Sequence, residues 1–224
     1  LTQVELYKKY VRTPANGILL YGPPGTGKTF ISEALAEETG RYIIHLRTSS
    51  VGSSYQNETA LNIKRVFDEA EYNAPSIIFI DEIEALAPKR TNSGFDAGMD
   101  TNRQISELLQ QLNNCAERGI FVIAATNEPQ LIDDAIRRVG RFDKTIFVPP
   151  PDFEARMEMF RMGLEKTFAD KNINLEKLAQ LTENYTASEI QKVIIQKSID
   201  NAITRKEAVS ENDLIKQIQE FKPA

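Results

Sequence analysis

The segment Gly22-Pro23-Pro24-Gly25-Thr26-Gly27-Lys28-Thr29 carries the residue types that wrap a phosphate chain. Its glycines let backbone N–H groups curl around phosphate oxygens, and a helix beginning there adds partial positive charge. Lys28 is spaced to reach the β and γ phosphates of a nucleotide, and the Thr29 hydroxyl to ligate Mg²⁺. A glycine-rich turn with an incidental lysine would write the same letters. The apolar run before it and the helical pattern after it, which begins at Lys28, favour the phosphate cradle, and Phe30 is expected among the nucleotide-binding residues. A second segment, Ile77-Ile78-Phe79-Ile80-Asp81-Glu82, is an apolar run that ends in two carboxylates. Ligands of open parallel sheets gather at the carboxyl ends of the strands. Asp81 is therefore expected to hold Mg²⁺, directly or through a water, and Glu82 to act as general base toward an attacking water. Alone, the two would pass for solvated acids; beside a phosphate cradle they point to transfer of a γ-phosphoryl group to water. Glu84 reads as part of a solvated loop.

Groups so far apart in sequence need strands to bring them together. Up to about residue 150, short runs rich in isoleucine and valine alternate with helical patterns; beyond it only helical patterns remain. Strands are expected over 17–21, 42–46, 76–80, 120–125 and 145–148. Several are apolar on consecutive residues, as in parallel strands covered on both faces. Helices over 28–39, 59–73 and 101–113 complete a βαβ alternation, and residues 91–99, with Asn92, Ser93, Gly94 and Gly98, read as a loop. Pro149-Pro150-Pro151 cannot continue a sheet or a helix interior, and divides the chain into an α/β nucleotide-binding domain, residues 1–149, and an all-α domain, residues 150–224. In the second part Asp152 reads as an N-cap ahead of Phe153, Met157, Phe160 and Leu164, and further helices are expected over 175–181, 188–203 and 210–221. Ser210 and Asp213 are spaced as a capping pair. The expected fold class is α/β: a P-loop NTPase parallel sheet flanked by helices, followed by a small all-α helical lid.

Composition excludes other classes. The net charge is −5 and no run of five basic residues occurs, so nothing suggests a phosphate-backbone footprint and nucleic acid is not an expected partner. The longest apolar runs, at 77–80 and 120–125, fall short of the roughly 20 residues of a membrane span. With one cysteine and one histidine, neither an intrachain disulfide nor a His-rich zinc site can form, and a reducing cytoplasmic compartment is expected. His45 reads as a satisfied strand histidine and Cys115 as an unreactive thiol. The chain starts at Leu1, which reads as a piece of something longer.

These motifs resemble the AAA clade of the AAA+ ATPases, the group of valosin-containing protein, N-ethylmaleimide-sensitive factor and the FtsH-type enzymes. The likeness extends over nearly the whole chain. Pro14-Ala15-Asn16-Gly17-Ile18-Leu19-Leu20-Tyr21 is similar to the strand that leads into the family's Walker A loop, and Asp81-Glu82 to its Walker B pair. Ala124-Ala125-Thr126-Asn127 resembles the sensor-1 strand, which implies that the Asn127 amide positions the attacking water. Residues 132–143, from Ile132 to Asp143, resemble the arginine-finger region. This implies that Arg138 and Arg141 reach the γ-phosphate of a neighbouring subunit in a ring, usually a hexamer. From spacing alone those arginines, with Asp133, Asp134 and Asp143, could equally be a surface ion-pair cluster.

The resemblance further implies ATP and Mg²⁺ as ligands, ADP as product, and a protein or peptide substrate gripped by a pore loop. At the pore-loop position this chain reads Tyr55-Gln56-Asn57, keeping the aromatic but not the aliphatic and glycine that follow it in the family; a half-exposed loop tyrosine is the other reading. In the lid, Thr186-Ala187-Ser188-Glu189-Ile190 stands where the family has a Gly-Ala pair, so Ala187 and Ser188 take the positions that pack on adenine and ribose. Met159 and Gly163 match positions that cover the base, although an apolar helix residue such as Met159 is more often core. Asp100 and Arg103 match an intersubunit salt bridge or else lie on a solvated face. The family's linker, with its further adenine contacts, falls before Leu1, which implies weaker nucleotide binding. Two other readings stay open: a nucleotide-gated binding module with little turnover, and a DNA-associated loader of the wider superfamily.

Overall fold

The computed structural model describes residues 15–46, 58–89, 95–138 and 140–221, with the backbone alone at residues 58 and 95–100. They group into two compact units: residues 15–22 with Lys28–Phe147, and Pro23–Gly27 with residues 148–221.

The first unit is built on strands β1 (Gly17–Tyr21), β2 (Tyr42–Leu46), β3 (Ser76–Ile80), β4 (Ile120–Thr126) and β5 (Lys144–Phe147). They form one sheet in the order β2-β3-β4-β1-β5, and each neighbouring pair is parallel. Between them lie α1 (Lys28–Thr39), α2 (Glu58–Tyr72), a single turn α3 (Ile83–Leu86) and α4 (Phe95–Leu112). β3 and β4 are buried along their whole length, which is why their sequences are runs rather than alternations. Phe79, Ile78 and Ile80 of β3 and Val122 and Ala124 of β4 are at most 1% exposed, and Ile63 and Phe67 of α2 and Ile105 and Leu108 of α4 are sealed off completely. Each such isoleucine or phenylalanine contributes about 2 kcal/mol of burial. The one polar residue of β3, Ser76, is buried but satisfied, its hydroxyl donating to the Ala70 carbonyl at 2.6 Å. β5 is an edge strand with exposed residues.

The second unit holds α5 (Phe153–Glu165), α6 (Leu175–Leu181), a π-helical stretch Glu189–Ile195 running into α7 (Gln196–Arg205), and α8 (Glu211–Glu220). Phe160, Leu178, Ile190, Ile194, Ile195 and Leu214 form its core. The Asp152 carboxylate accepts from Ala155 N at 2.8 Å as the N-cap of α5, and Ser210 and Asp213 form the reciprocal capping box of α8. Arg156 is buried at 7% exposure because it has acceptors there, the carbonyls of Ala179 (3.0 Å) and Pro151 (2.8 Å). No helix among the described residues is long and apolar enough to cross a membrane.

Three expectations need correcting. Phe95–Met99, expected as loop, begins α4, because the helical period runs back through Gly98, a residue that weakens a helix without ending one. The single helix expected over 188–203 is instead π-helical up to Ile195 and α-helical after it. Glu84, expected in a solvated loop, sits on α3, half-buried, with its Oε2 shielded from solvent and lacking a hydrogen-bond partner.

Candidate active site

Parallel pairing sets which residues emerge together at one edge of the sheet. Tyr21 of β1 stands opposite Thr126 of β4, and Ile80 of β3 opposite Ala124, so the three strands finish side by side. Their continuations are Gly22, Asn127 and Asp81-Glu82. The sheet thus places Gly22, Asn127 and the acidic pair at adjacent carboxyl ends, where parallel sheets bind ligands.

Lys28 opens α1 and is only 7% exposed, with its Nζ donating to the Gly22 carbonyl at 2.9 Å. Burial holds its pKa below the ordinary lysine value, and the negative charges of Asp81 and Glu84 work against that shift. Thr29 follows on the same turn, half-buried, and the Phe30 side chain is 65% exposed.

Asp81 and Glu82 are both exposed. Glu82 takes a left-handed backbone conformation, φ 50° and ψ 52°, that non-glycine residues other than asparagine and aspartate seldom adopt, and its N–H donates to Asp81 Oδ1 at 3.0 Å. Such strain collects where function needs a side chain aimed against local preference. The turn beyond is fixed by Gln104 of α4, whose Nε2 donates to the Leu86 carbonyl at 2.6 Å. Next to Asn127, the buried Thr126 hydroxyl oxygen accepts from Glu128 N at 2.9 Å, which holds the bend after β4 and leaves the Asn127 side chain exposed.

The acidic pair is tied to the arginine segment through the backbone. Pro88 bridges Ile132, Lys89 N donates to Leu131 O at 2.6 Å, and Asp133 N to Ala87 O at 2.9 Å. Beyond that link Arg138 is exposed, whereas Arg141 is half-buried and donates from a terminal nitrogen to the Ala135 carbonyl at 2.5 Å. Burial and the neighbouring Arg138 charge lower the Arg141 pKa, and Asp133 opposes them. Arg103 is exposed on α4.

In the second unit, the loop Pro23–Gly27 needs its glycines: Gly25 and Gly27 have φ of +77° and +94°. The Gly25 carbonyl accepts from Ser188 N at 2.9 Å. A Cβ on Gly25 would stand 2.9 Å from Ser188 Cβ and 3.1 Å from Thr186 Oγ1. Thr186 and Glu189 cap the π-helical stretch reciprocally, Thr186 N donating to Glu189 Oε2 (2.6 Å) and Glu189 N to Thr186 Oγ1 (3.3 Å). Ala187 and Ser188 are half-buried. Met159 packs against the helical core, and Gly163 is a packing glycine, because a Cβ there would meet Ile195 Cδ1 at 2.7 Å. Tyr55, Gln56 and Asn57 lie outside the described residues, as does the side chain of Asp100. Gly25→Ala is expected to cost about 1–2 kcal/mol of backbone strain. Relieving that strain displaces the loop N–H groups, so calorimetric titration should give roughly tenfold weaker nucleotide binding; unchanged affinity would mean that the loop does not cradle phosphate.

Sequence reading missed two features of this site: Glu84 facing Lys28, and the Thr186–Glu189 capping pair behind Gly25. The second was readable, since Thr-x-x-Glu ahead of an apolar run is a capping signature.

Comparison with known proteins agrees with this geometry. The sequence profile of the ATPase family associated with various cellular activities (AAA) matches residues 18–150. The chain is 38% identical over 222 residues to a proteasome-activating nucleotidase of Saccharolobus solfataricus, covering 99% of this chain and 56% of that protein. It is 37% identical over 223 residues to the protein of the same name from Sulfurisphaera tokodaii, covering 99% and 57%. It is also 42% identical over 187 residues to Protein SAV of Sulfolobus acidocaldarius, covering 83% of this chain and 24% of that protein. The chain spans about half the length of the proteasome-activating nucleotidases it matches.

Proposed function

The chain belongs to the AAA family of ATPases, and from that premise we propose that it hydrolyses Mg-ATP as one subunit of a ring, probing and remodelling protein substrates in the cytoplasm. The observation that carries this reading is the shared sheet edge at which Gly22, Asn127 and the Asp81-Glu82 pair follow β1, β4 and β3, with Glu82 in a strained conformation and the Lys28 ammonium bonded to the Gly22 carbonyl. The similarity to proteasome-activating nucleotidases supports a protein substrate, and the single buried cysteine fits a reducing compartment.

In the proposed mechanism the loop Gly22–Gly27 wraps the β and γ phosphates with backbone N–H groups, and the Lys28 ammonium donates to their oxygens. The Thr29 hydroxyl and the Asp81 carboxylate, hard oxygen donors, suit Mg²⁺, which neutralises phosphate charge when bound. The Glu82 carboxylate accepts a proton from the water whose oxygen attacks the γ-phosphorus, and the Asn127 amide orients that water. The bond to the β-phosphate oxygen breaks, leaving ADP and inorganic phosphate. Arg138 and Arg141 of the next subunit, six such pairs to an assembled hexamer, spread stabilising charge over the equatorial oxygens as the bond loosens. Before hydrolysis the γ-phosphate engages Lys28, Asn127 and the arginines together. ATP and ADP therefore differ in their affinity for the closed interface, as a mechanical cycle requires.

Adding an unstructured protein tests the substrate class. Phosphate release should rise in its presence, and Tyr55→Ala should remove the increase without lowering the basal rate. A rate indifferent to protein, with binding to DNA that weakens as salt is raised, would instead favour a loader on nucleic acid.

A further inference from the structure

Asn16 precedes β1 and is buried, at 4% exposure, a hundred residues or more in sequence from the groups it bonds. Its side-chain Nδ2 donates to the Gly140 carbonyl at 2.7 Å, its Oδ1 accepts from Ala116 N at 2.8 Å, and its backbone N–H donates to Asp143 Oδ2 at 2.8 Å. The other carboxylate oxygen of Asp143 accepts from Gly140 N at 3.2 Å, and Asp143 N donates to the Gly17 carbonyl at 3.1 Å. Gly140 thus has both its backbone groups bound, and Phe142, 3% exposed, is sunk in the core. Gly17 lets this segment close on the sheet, since a Cβ there would lie 2.4 Å from the Val122 carbonyl oxygen and 3.3 Å from Phe142 Cδ1. Arg141 stands between these fixed points.

We infer that Asn16, with Asp143, is a positioning residue for Arg141, holding the backbone from which that guanidinium is presented to a neighbouring subunit. This rests on the proposed function, in which Arg141 acts in trans. A primary amide suits the position because one planar group both donates and accepts. An aspartate would lose the donor to Gly140 and set a second carboxylate beside Asp143.

The test uses rings of two chain types. Glu82→Gln chains keep their arginines but cannot hydrolyse, and Arg141→Ala chains keep their hydrolytic residues but do not supply the Arg141 guanidinium. Mixing them should recover turnover that neither has alone. Adding Asn16→Ala to the Glu82→Gln chain should lower the recovered rate about a hundredfold, the cost of a group displaced by an ångström. Adding it to the Arg141→Ala chain should leave the recovered rate unchanged, because that chain's arginine segment is already idle. Equal loss in both arms, or no loss in the arginine-supplying arm, overturns the inference. Asp143→Ala, at an exposed position, removes the acceptors of Asn16 N and Gly140 N and goes through the same two arms. It decides the matter if Asn16→Ala does not fold. If the parent mixture recovers nothing although the unaltered chain hydrolyses ATP, the trans reading fails and takes this inference with it.

Discussion

Glu82→Gln is expected to cut steady-state phosphate release by about a hundredfold to ten-thousandfold, the range that a positioned general base supplies, while ATP stays bound. The exchange preserves size and shape, and glutamine pays the same backbone strain at φ 50° as glutamate does. What it removes is the carboxylate that accepts the proton of the attacking water. Since neither Lys28 nor the loop N–H groups depend on that charge to grip phosphate, equilibrium binding should be at least as tight as in the parent chain. Two measurements on one sample, phosphate release and ATP titration, separate the effects. A rate close to the parent's with ATP bound would assign the base elsewhere, and Glu84, with its shielded Oε2, would be next to examine.

Lys28→Ala is expected to act on binding instead. Hydrogen bonds from a charged donor are worth about 1.5–3 kcal/mol each, and an ammonium reaching two phosphates makes more than one, so nucleotide affinity should fall by about a hundredfold or more. Stability should move little, and the sign follows from the pKa. Folding lowers the Lys28 pKa below the ordinary lysine value of 10.5, chiefly by burial, so the unfolded chain holds that proton more firmly. Below the folded-state pKa the buried charge therefore weighs against folding, and the penalty fades as pH rises toward 10.5. Alanine removes the penalty along with the bond to Gly22, so the melting temperature near neutral pH should be kept or raised. Normal ATP affinity, or a collapse of the fold, would contradict this account of the residue.

Much of this was legible from residue type and spacing. Parallel strands buried on both faces are written as apolar runs, so Ser76–Ile80 could be bounded from sequence alone, and the run from Ile120 was extended only by Thr126, whose polar side chain hides its place in the strand; Tyr42–Leu46, an edge strand, was legible from its β-branched and aromatic residues. Asp81 and Glu82 were readable because an apolar strand ending in two acids has few uses. What escaped depends on contacts between distant residues or on backbone geometry. Asn16 gave no local sign of its role, since its partners Gly140 and Asp143 lie beyond four strands and four α-helices of the described chain. Glu84 was misread because a one-turn helix is too short to show a period, yet it is enough to turn that side chain inward. The π-helical stretch kept Ile190, Ile194 and Ile195 buried, a pattern that a 3.6-residue period also satisfies, so the sequence could not distinguish it from an α-helix.

The claim on which the account turns is that the site is completed between subunits. Phosphate release with Mg-ATP, measured against protein concentration with Arg141→Ala in parallel, tests it most directly. The account predicts a rate per chain that climbs with concentration to a plateau, and a fall of about a thousandfold or more in the variant, as for other arginines supplied in trans. A rate per chain independent of concentration and equal in the two proteins would show that each chain hydrolyses ATP alone.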